Sequence, residues 1–299
     1  MSRTLALVAS WSLLGCAVDV DTTEVTSDIV TAPGGWSLNG PDLNGVNSAA
    51  TGGPDVMLNG VLPTGRAANG SPISINPTGA AMSGTRFIGS KWTGVLSNGK
   101  TVPLTITAAS QATGANTDVW WYTFYATVNN HQVPLCTDPN NNPIGADTVR
   151  GTWNTGEGVT GGGSYTPTTA NFTVACGDSA IAKCLELGYK PWAGRVAEAA
   201  ACVRAMRGDF CGNGEPYTVN GIQIGIFDDL GLQADDHWAV EAAWTADGAA
   251  CIVQNSATRF DRFLHETPSC IGGSVKLSKT CNMHFLPTVK IVTELPPTQ

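Results

Sequence analysis

The sequence predicts an α+β fold that is mainly β, in which antiparallel strands are combined with two short helices in a disulfide-rich C-terminal half. Glycine and proline contribute 35 and 17 of the 299 residues, which favours many turns over a helical bundle. Hydrophobic residues make up 42% of the chain, so it can bury a core. All but one of the cysteines lie at residue 136 or later, which places the expected cross-links away from the N-terminus.

Charge excludes one class of partner. Charged residues reach only 13%, against roughly 25% in an average soluble domain. Lys and Arg number 16 and Asp and Glu number 24, which gives a formal net charge of −8. Nucleic-acid binding requires clustered basic residues that neutralise phosphates, so we expect no nucleic-acid partner.

Residues 1–16 have the pattern of a lipoprotein-type signal peptide. Arg3 provides a positive charge, residues 4–14 form a short apolar run, and Leu-Leu-Gly-Cys at residues 13–16 resembles a lipobox. In such a sequence Cys16 is lipidated and becomes the mature N-terminus, and two or more acyl chains anchor a protein stably to a membrane. We expect an exported protein of the bacterial cell envelope, held as an outer-membrane lipoprotein through Cys16, with ordinary secretion as the alternative.

Residues 17–81 are predicted to form a tether. The segment is rich in Gly, Asn, Pro, Ser and Thr, a composition typical of linkers, and it shows little strand or helix periodicity. Leu-Asn-Gly recurs at residues 38–40, 43–45 and 58–60. Three scattered copies do not provide the stacked neighbours that a repeat fold needs, so a tether is favoured over a coil of repeats.

Residues 82–175 are predicted to form a β-rich domain. Asn98-Gly99, a dipeptide typical of hairpin turns, separates two apolar segments. Further along, strict alternation and β-branched residues indicate more strands. The predicted strands cover residues 85–88, 102–106, 118–128 and 170–175.

Residues 176–299 are predicted to form a disulfide-stapled α+β domain. Ser179 or Asp178 can cap a short helix that ends at Gly188. A second helix is expected from Pro191 to Arg207 because apolar residues recur there at helical spacing. Strands then return in an alternating segment at residues 222–226 and in a hairpin at residues 240–253.

The cysteines downstream of Cys16 form an even set in an exported chain, which predicts disulfides. They are Cys136, Cys176, Cys184, Cys202, Cys211, Cys251, Cys270 and Cys281. Many pairings are open, and the expected positions on helices, strands and loops favour Cys184–Cys202, Cys136–Cys176 and Cys270–Cys281, which leaves Cys211–Cys251. A zinc site would typically use Cys-x-x-Cys pairs, which the sequence does not contain. We therefore expect neither a metal nor a cofactor.

A set of short motifs surrounds these cysteines. They are Cys176-Gly177, Ala182-Lys183-Cys184, Gly188-Tyr189-Lys190-Pro191-Trp192, Cys202-Val203-Arg204-Ala205-Met206, Gly208-Asp209-Phe210-Cys211-Gly212-Asn213-Gly214, Glu241-Ala242-Ala243-Trp244 and Asp247-Gly248-Ala249-Ala250-Cys251. With these motifs the stretch from Cys176 to about Cys251 resembles the bacterial ADYC-domain family, which is named for an Ala-Asp-Tyr-Cys motif. The upstream strands are similar too, including Pro134-Leu135-Cys136.

Two positions depart from the motif of that family. Gly208 stands for its alanine and Phe210 for its tyrosine, and the second change removes a phenolic hydroxyl. A position that lacks the hydroxyl is expected to have a packing role. The resemblance implies an exported or lipoprotein-like protein and brings no assigned reaction.

Asp236, His237 and His265 are weak candidates for catalysis. A histidine beside a carboxylate can act as a general base, so a secreted hydrolase that uses Asp236 or Asp229 with His237 or His265 is one alternative. Asp228-Asp229 and Asp235-Asp236 offer oxygen ligands, but their spacing matches no calcium-binding loop. A solvated polar loop is the favoured interpretation of both clusters.

Trp121 and Tyr125 are weak candidates for ligand binding. Strand alternation puts them on one face of segment 118–128, with Trp120, Tyr122 and Phe124 on the other. An exposed pair would be a stacking platform, which makes a carbohydrate-binding module another alternative. Core packing is the commoner role of such aromatic stripes.

The sequence therefore favours a non-catalytic envelope lipoprotein that acts as a binding or structural module. Its expected partners are the membrane, through the lipid on Cys16, and a protein or glycan of unknown identity. The sequence has no Gly-x-Ser-x-Gly elbow, His-Glu-x-x-His helix, P-loop or dinucleotide-binding fingerprint.

Overall fold

The computed structural model describes residues 36–38, 40–76, 79–254 and 258–297. It confirms a mostly β fold with antiparallel sheets, few short helices and four disulfides. The strands of the described residues are β1 (Trp36–Leu38), β2 (Leu58–Val61), β3 (Thr64–Arg66), β4 (Pro72–Ser74), β5 (Lys91–Leu96), β6 (Thr101–Gln111), β7 (Trp120–Val128), β8 (His131–Pro134), β9 (Ala146–Arg150), β10 (Thr152–Trp153), β11 (Tyr165–Thr166), β12 (Phe172–Cys176), β13 (Gln223–Phe227), β14 (Ala239–Thr245), β15 (Gly248–Val253), β16 (Lys276–Ser278) and β17 (Ile291–Leu295). The α-helices are α1 (Ser48–Thr51), α2 (Ala180–Glu186) and α3 (Val196–Arg207).

Six strands close into a barrel. The order β2-β12-β9-β7-β6-β5 is continuous, and β2 also pairs with β5, which joins the two ends. These pairings are antiparallel. The hairpin β3–β4 extends the sheet from β5, and β8 pairs with β7. Closure matters because a closed sheet leaves no open edge within the ring.

Aromatic side chains fill the barrel. Phe87, Trp92, Tyr122, Phe124 and Phe172 are all at most 2% exposed and belong to one hydrophobic cluster. The ring centroids of Phe87 and Trp92, of Phe87 and Tyr122, and of Trp92 and Phe172 are each 6.0 Å apart, a typical distance for aromatic packing. The interior of this barrel is therefore a packed core.

The predicted strand at residues 85–88 is wrong and the hairpin beside it is shifted. Residues Thr85–Phe87 form a 3-10 turn, because Gly84 and Gly89 have positive φ angles that bend the chain on both sides. The first hairpin strand is β5 instead, and β5 and β6 flank the turn at Asn98-Gly99. The prediction of a strand at residues 118–128 is confirmed by β7.

The predicted tether at residues 17–81 needs correction in its described part. Residues 40–76 carry α1, β2, β3 and β4, and β2 is a strand of the barrel. In two of the Leu-Asn-Gly copies the leucine side chain is buried in a hydrophobic cluster, since Leu43 and Leu58 are 5% and 2% exposed. The prediction missed this because single anchors spaced by glycine and asparagine carry no periodicity. The part of the predicted tether upstream of β1 lies outside the described residues.

The predicted C-terminal helices are present, but helices are not confined to that half. Ser179 caps α2, and its Oγ accepts a hydrogen bond from the amide of Ala182. The second predicted helix divides, since a 3-10 turn at Pro191–Ala193 ends at Gly194, with φ +79°, before α3 begins. The four-residue helix α1 lies in the N-terminal half, where no helix was predicted. No helix in the described ranges is long and apolar enough to cross a bilayer.

A second sheet packs against the helices. Its order is β1-β13-β17-β14-β15-β16, and its pairings are antiparallel except for the parallel pair β15–β16. The largest hydrophobic cluster combines one face of this sheet, helices α2 and α3, and residues of the barrel strands β7 and β9. It includes residues on both sides of the boundary predicted at 175/176. A smaller cluster covers the opposite face of the second sheet.

Candidate functional site

All eight cysteines downstream of Cys16 form disulfides. The bonds are Cys136–Cys176, Cys184–Cys202, Cys211–Cys270 and Cys251–Cys281, with Cα–Cα distances of 5.4, 5.8, 5.5 and 5.7 Å. These distances are typical of disulfides. Cys16, the predicted lipidation site, lies outside the described residues.

Two of the predicted pairings are confirmed and two are wrong. Cys136–Cys176 and Cys184–Cys202 agree with the prediction, whereas Cys211–Cys251 and Cys270–Cys281 do not. The second sheet separates the misassigned pairs. Cys251 and Cys281 belong to the cluster on one of its faces, while Cys270 packs against the cluster on the other. Sequence spacing alone does not show on which face of a sheet a cysteine lies.

The loop that carries the signature motif, residues 208–214, is organised around Asp209. Its Oδ2 accepts hydrogen bonds from Arg204 Nη1 and from the amide of Gly214 at 2.9 Å, and its Oδ1 accepts one from the amide of Asn213 at 3.1 Å. Arg204 also donates to the carbonyl oxygen of Gly162 at 2.7 Å. The side chains of Arg204 and Asp209 are 2% and 1% exposed, so this ion pair holds loops together inside the protein.

Two glycines of the signature loop allow an unusually close approach of backbones. A Cβ on Gly212 would lie 1.7 Å from the carbonyl oxygen of Asp247, and one on Gly214 would lie 2.2 Å from that of Gly156. Their φ angles are +69° and +84°, which side chains disfavour. The loop therefore packs directly on the turn between β14 and β15 and on the segment that follows β10.

Phe210 has the packing role that the sequence predicts for it. Its ring is fully buried, 4.9 Å from Trp244 and 5.1 Å from Phe260 between ring centroids. The guanidinium carbon of Arg259 lies 5.9 Å from the Phe210 ring and 5.9 Å from the Trp244 ring. The signature loop thus carries an aromatic anchor into the main core.

A second buried ion pair adjoins this anchor. Arg259 Nε donates to Glu241 Oε1 at 3.0 Å, and both side chains are fully buried. Thr293 Oγ1 donates to Glu241 Oε2 at 2.9 Å and accepts from Trp244 Nε1 at 2.9 Å. Because each partner neutralises and hydrogen-bonds the other, this network ties β14 and β17 to the segment around residue 259.

The predicted catalytic residues lie at the surface. The His237 side chain is 86% exposed, with Nδ1 3.1 Å from Asp235 Oδ1, and His265 is an exposed residue at the end of a π-helical turn at Phe260–Leu264. Asp236 is half-buried beside His237. The hydrolase alternative requires a histidine bound to a carboxylate inside a cleft. The exposed imidazole of His237 does not provide that arrangement.

The predicted stacking platform is not formed, because β7 is covered on both faces. Trp121 is 5% exposed and lies in the main core, and Tyr125 is half-buried. The other face of β7 lines the barrel interior with Tyr122 and Phe124. A strand in the wall of a closed barrel that also packs against helices has no free face for a sugar ring.

The predicted oxygen cluster at Asp228 has a structural role. Its Oδ1 accepts hydrogen bonds from the amides of Leu230 and Leu232 at 2.6 and 3.2 Å. Its Oδ2 accepts one from the Tyr189 hydroxyl at 2.6 Å and one from the amide of Gln233 at 3.0 Å. In the described part of the chain, no group of three or more His, Cys, Asp or Glu side chains can hold a metal ion.

Sequence reasoning missed a carboxyl cluster at the end of β17. Glu294 is 2% exposed and faces Asp235 and Asp236. Burial, followed by the negative charge of Asp235, raises the pKa of Glu294 to about 7. Burial and Asp235 also raise the pKa of Asp236. A glutamate inside the apolar strand Ile291–Leu295 was the available signal.

Comparison with known proteins gives one family match. A family model of the ADYC domain matches residues 84–258, which contain the barrel strands β5, β6, β7, β9 and β12, the helices α2 and α3 and the signature loop. No curated protein and no solved structure matches the chain.

Proposed function

The chain belongs to the ADYC-domain family, and on that premise we propose that it is an exported envelope lipoprotein, held to the outer membrane by a lipid on Cys16. In this proposal the folded part is a non-catalytic module that binds an envelope component or contributes to envelope structure. The partner in this proposal is a protein or a glycan.

The pairing of the cysteines is the observation that carries the proposal. Eight cysteines are joined in four disulfides, and the bonds join segments between residue 136, after β8, and residue 281, after β16. Disulfides form and persist in oxidising compartments and are rare in the cytosol. A protein that depends on four of them for its structure fits the periplasm or the cell surface.

The N-terminal sequence supports the lipid anchor. Arg3, the apolar run and the Leu-Leu-Gly-Cys sequence have the order of a lipoprotein signal. The sequence has nine cysteines, and the eight others form the four disulfides with one another, so none of these bonds uses Cys16. A thiol at that one position is the chemical requirement for lipidation.

The state of the signature residues supports a non-catalytic role. Asp209, Arg204 and Phe210 are buried, and the hydrogen bonds of the two charged side chains go to other parts of the same chain. Catalytic groups must reach a substrate, whereas these groups hold the loop in place. The buried charges of the signature loop therefore support a scaffold for the surrounding loops.

Expression of the full chain in a Gram-negative bacterium tests the anchor. The wild-type protein is expected in the outer-membrane fraction and labelled by an alkyne fatty acid, while Cys16→Ser is expected to be unlabelled and released from the membrane. Mass spectrometry without reduction checks that both proteins keep the four disulfides. An unlabelled, soluble wild-type protein would instead support ordinary secretion.

A second experiment tests the absence of catalysis. The purified protein and the variant Asp236→Asn/His237→Ala/His265→Ala are compared on panels of ester, peptide and glycoside substrates. Equal background rates are expected for both. Turnover by the wild type that the triple variant loses would overturn the non-catalytic role and favour the hydrolase.

A further inference from the structure

The loop between β13 and β14, residues 228–238, is fastened at its two ends by different chemistry. At its start, Asp228 accepts hydrogen bonds from three amides of the loop and from the Tyr189 hydroxyl. Gln233 Nε2 adds a hydrogen bond to the carbonyl oxygen of Leu187 at 2.8 Å. These hydrogen bonds hold the start of the loop in place.

At the other end, the loop rests on the carboxyl group of Glu294. The side chains of Asp235 and Asp236 and the backbone of Trp238 lie close to this group. Carboxyl groups held close together repel one another when all are ionised, which favours a proton on one of them. His237, between Asp236 and Trp238, has a left-handed backbone with φ +59°, an unusual conformation for a residue with a side chain.

Two carboxyl oxygens at this end lack a hydrogen-bond partner. Glu294 Oε2 and Asp236 Oδ2 are buried and make no hydrogen bond within the described structure. Both face the same small volume above Gly225 of β13, 3.4 and 3.0 Å from the point where a Cβ would stand. The register places Gly225 opposite Glu294, so the glycine makes room for the two carboxyl groups.

The charged groups around Glu294 are nearly all acidic. The loop contributes Asp235, Asp236 and the imidazole of His237, whereas the adjacent strand positions Gly225 on β13 and Val240 on β14 are uncharged. Glu241 on β14 is engaged by Arg259 and Thr293. Within the described ranges, no lysine or arginine forms an ion pair with these three carboxyl groups.

We propose that the C-terminal end of loop 228–238 is a pH-sensitive latch, closed by a proton that keeps the carboxyl groups of Glu294 and Asp236 from both being ionised. Loss of that proton leaves two carboxylates whose buried oxygens face the same small volume, and their repulsion opens the latch. The Asp228 end stays in place and acts as the hinge. The inference is independent of the proposed envelope function.

The direction of the pH dependence follows from the proton balance. The closed latch holds Glu294 with its pKa raised to about 7, whereas a solvated glutamate has a pKa of about 4.3. The closed state therefore binds more protons between these values, and its advantage is complete below the lower one. The stability that the bound proton gives the closed latch over the open one declines as pH rises and is lost above about pH 7. Each unit by which the pKa of Glu294 differs between the two states changes the ratio of closed to open protein tenfold.

Hydrogen exchange of the full, oxidised protein tests the latch. Protection factors of the amides in residues 234–238 are compared at pH 5.5 and pH 8.5, with the intrinsic exchange rates divided out. Wild-type protection is expected to fall by at least ~10-fold at the higher pH. Glu294→Gln, which keeps the size of the protonated acid but cannot ionise, is expected to show equal protection at both. Constant wild-type protection, or an equal fall in Glu294→Gln, overturns the proposal.

Two control variants separate the latch from other titrating groups. His237→Gln is expected to keep the fall in protection, and loss of the fall would assign it to the imidazole and overturn the proposal. Asp147→Asn removes a buried carboxyl group of the barrel strand β9 and is also expected to keep the fall. Loss of the fall in this variant would show a global effect, which also contradicts a local latch.

A measurement on the unmodified protein keeps the proposal testable if Glu294→Gln does not fold. Carbon-13 NMR of the side-chain carboxyl carbons follows the titration of Glu294 directly. A midpoint near 7 is expected. A midpoint near 4.3, the value of a solvated glutamate, would overturn the latch.

Discussion

The barrel and the second sheet with its helices are stabilised in different ways. The barrel encloses a cluster of apolar side chains and contains one disulfide, Cys136–Cys176, within that cluster. The C-terminal part contains the other three disulfides. It also contains the two ion pairs in which both side chains are at most 2% exposed, Arg204–Asp209 and Arg259–Glu241.

This difference follows from the topology of the two parts, because an open sheet with long loops needs more specific contacts for its stability than a closed barrel does. A closed ring of strands satisfies its own backbone hydrogen bonds and needs only a well-packed interior. The second sheet is open, and long loops connect its strands, including residues 228–238 before β14 and residues 279–290 before β17. Loops of this kind carry few backbone hydrogen bonds of their own, so disulfides and buried charges hold them in place.

The largest expected effect is the removal of a buried charge from the C-terminal part. Arg259→Ala leaves Glu241 fully buried without its counter-ion and should lower the free energy of unfolding by about 3–5 kcal/mol. Lys290→Ala is the control, because Lys290 is 34% exposed in its pair with Glu198 and should cost less than about 1 kcal/mol. Urea unfolding with intact disulfides measures both, and similar losses would contradict the role given to buried charges.

The stability lost on removing a disulfide should increase with the length of chain that the bond closes. Cys211→Ala/Cys270→Ala opens a separation of 59 residues, and Cys184→Ala/Cys202→Ala opens one of 18. The loss of chain entropy predicts stabilisation of about 4 kcal/mol for the first bond and about 3 kcal/mol for the second. Thermal unfolding of the two double variants checks the order, and a reversed order would show that native-state packing outweighs entropy.

In the barrel, a single buried methylene should have a measurable effect. Ile106→Val removes a methyl group from a fully buried position on β6 and should cost about 0.5–1.5 kcal/mol. Ile88→Val is the matched control, because Ile88 is 41% exposed and should change the free energy of unfolding very little. Equal effects in urea unfolding would mean that the barrel interior is not closely packed.

The last prediction concerns how stability changes with pH, and it tests a buried carboxyl group in the barrel wall. Asp147 on β9 is 2% exposed, and its carboxyl oxygens have no hydrogen-bond partner among the described residues. Burial, with a smaller contribution from Glu186, raises the pKa of Asp147 well above its ordinary value.

The folded state therefore retains a proton at Asp147 that the unfolded state releases, so this contribution to stability is complete at low pH and declines as pH rises. Asp147→Asn should remove that decline. Unfolding free energies of the wild type and the variant at several pH values measure it. Parallel curves for the two proteins would show that Asp147 does not bind the proton.

The sequence predicted those parts of the fold that local signals determine. The hairpin at Asn98-Gly99, the strand β7, the cap of α2 and the hairpin β14–β15 follow from turn residues, alternation and capping. Closure of the barrel depends on β2, whose four residues include one glycine and one asparagine and give no periodic pattern. Pairing over long sequence distances has no local signal, which is why β2 was included in the tether predicted for residues 17–81.

The site was less predictable than the fold because the environment of each site residue depends on what packs against its face of the sheet. Phe210 was correctly expected to pack, since the missing hydroxyl is visible in the sequence. Trp121 and Tyr125 were correctly placed on one face, but only the packed helices show that this face is covered. Glu294 acquires its properties from the loop at residues 235–238, which lies far from it in the sequence.

The connectivity of the disulfides has a consequence for biogenesis. The first four cysteines after Cys16 pair in order, Cys136 with Cys176 and Cys184 with Cys202, whereas Cys211 must bypass Cys251 to reach Cys270. If the chain is exported as proposed, its thiols emerge from the N-terminal side first, and an oxidase that joins neighbours on arrival would make two native bonds and then a mismatched Cys211–Cys251. A thiol–disulfide isomerase would then be needed to reach the pairing that the structure shows.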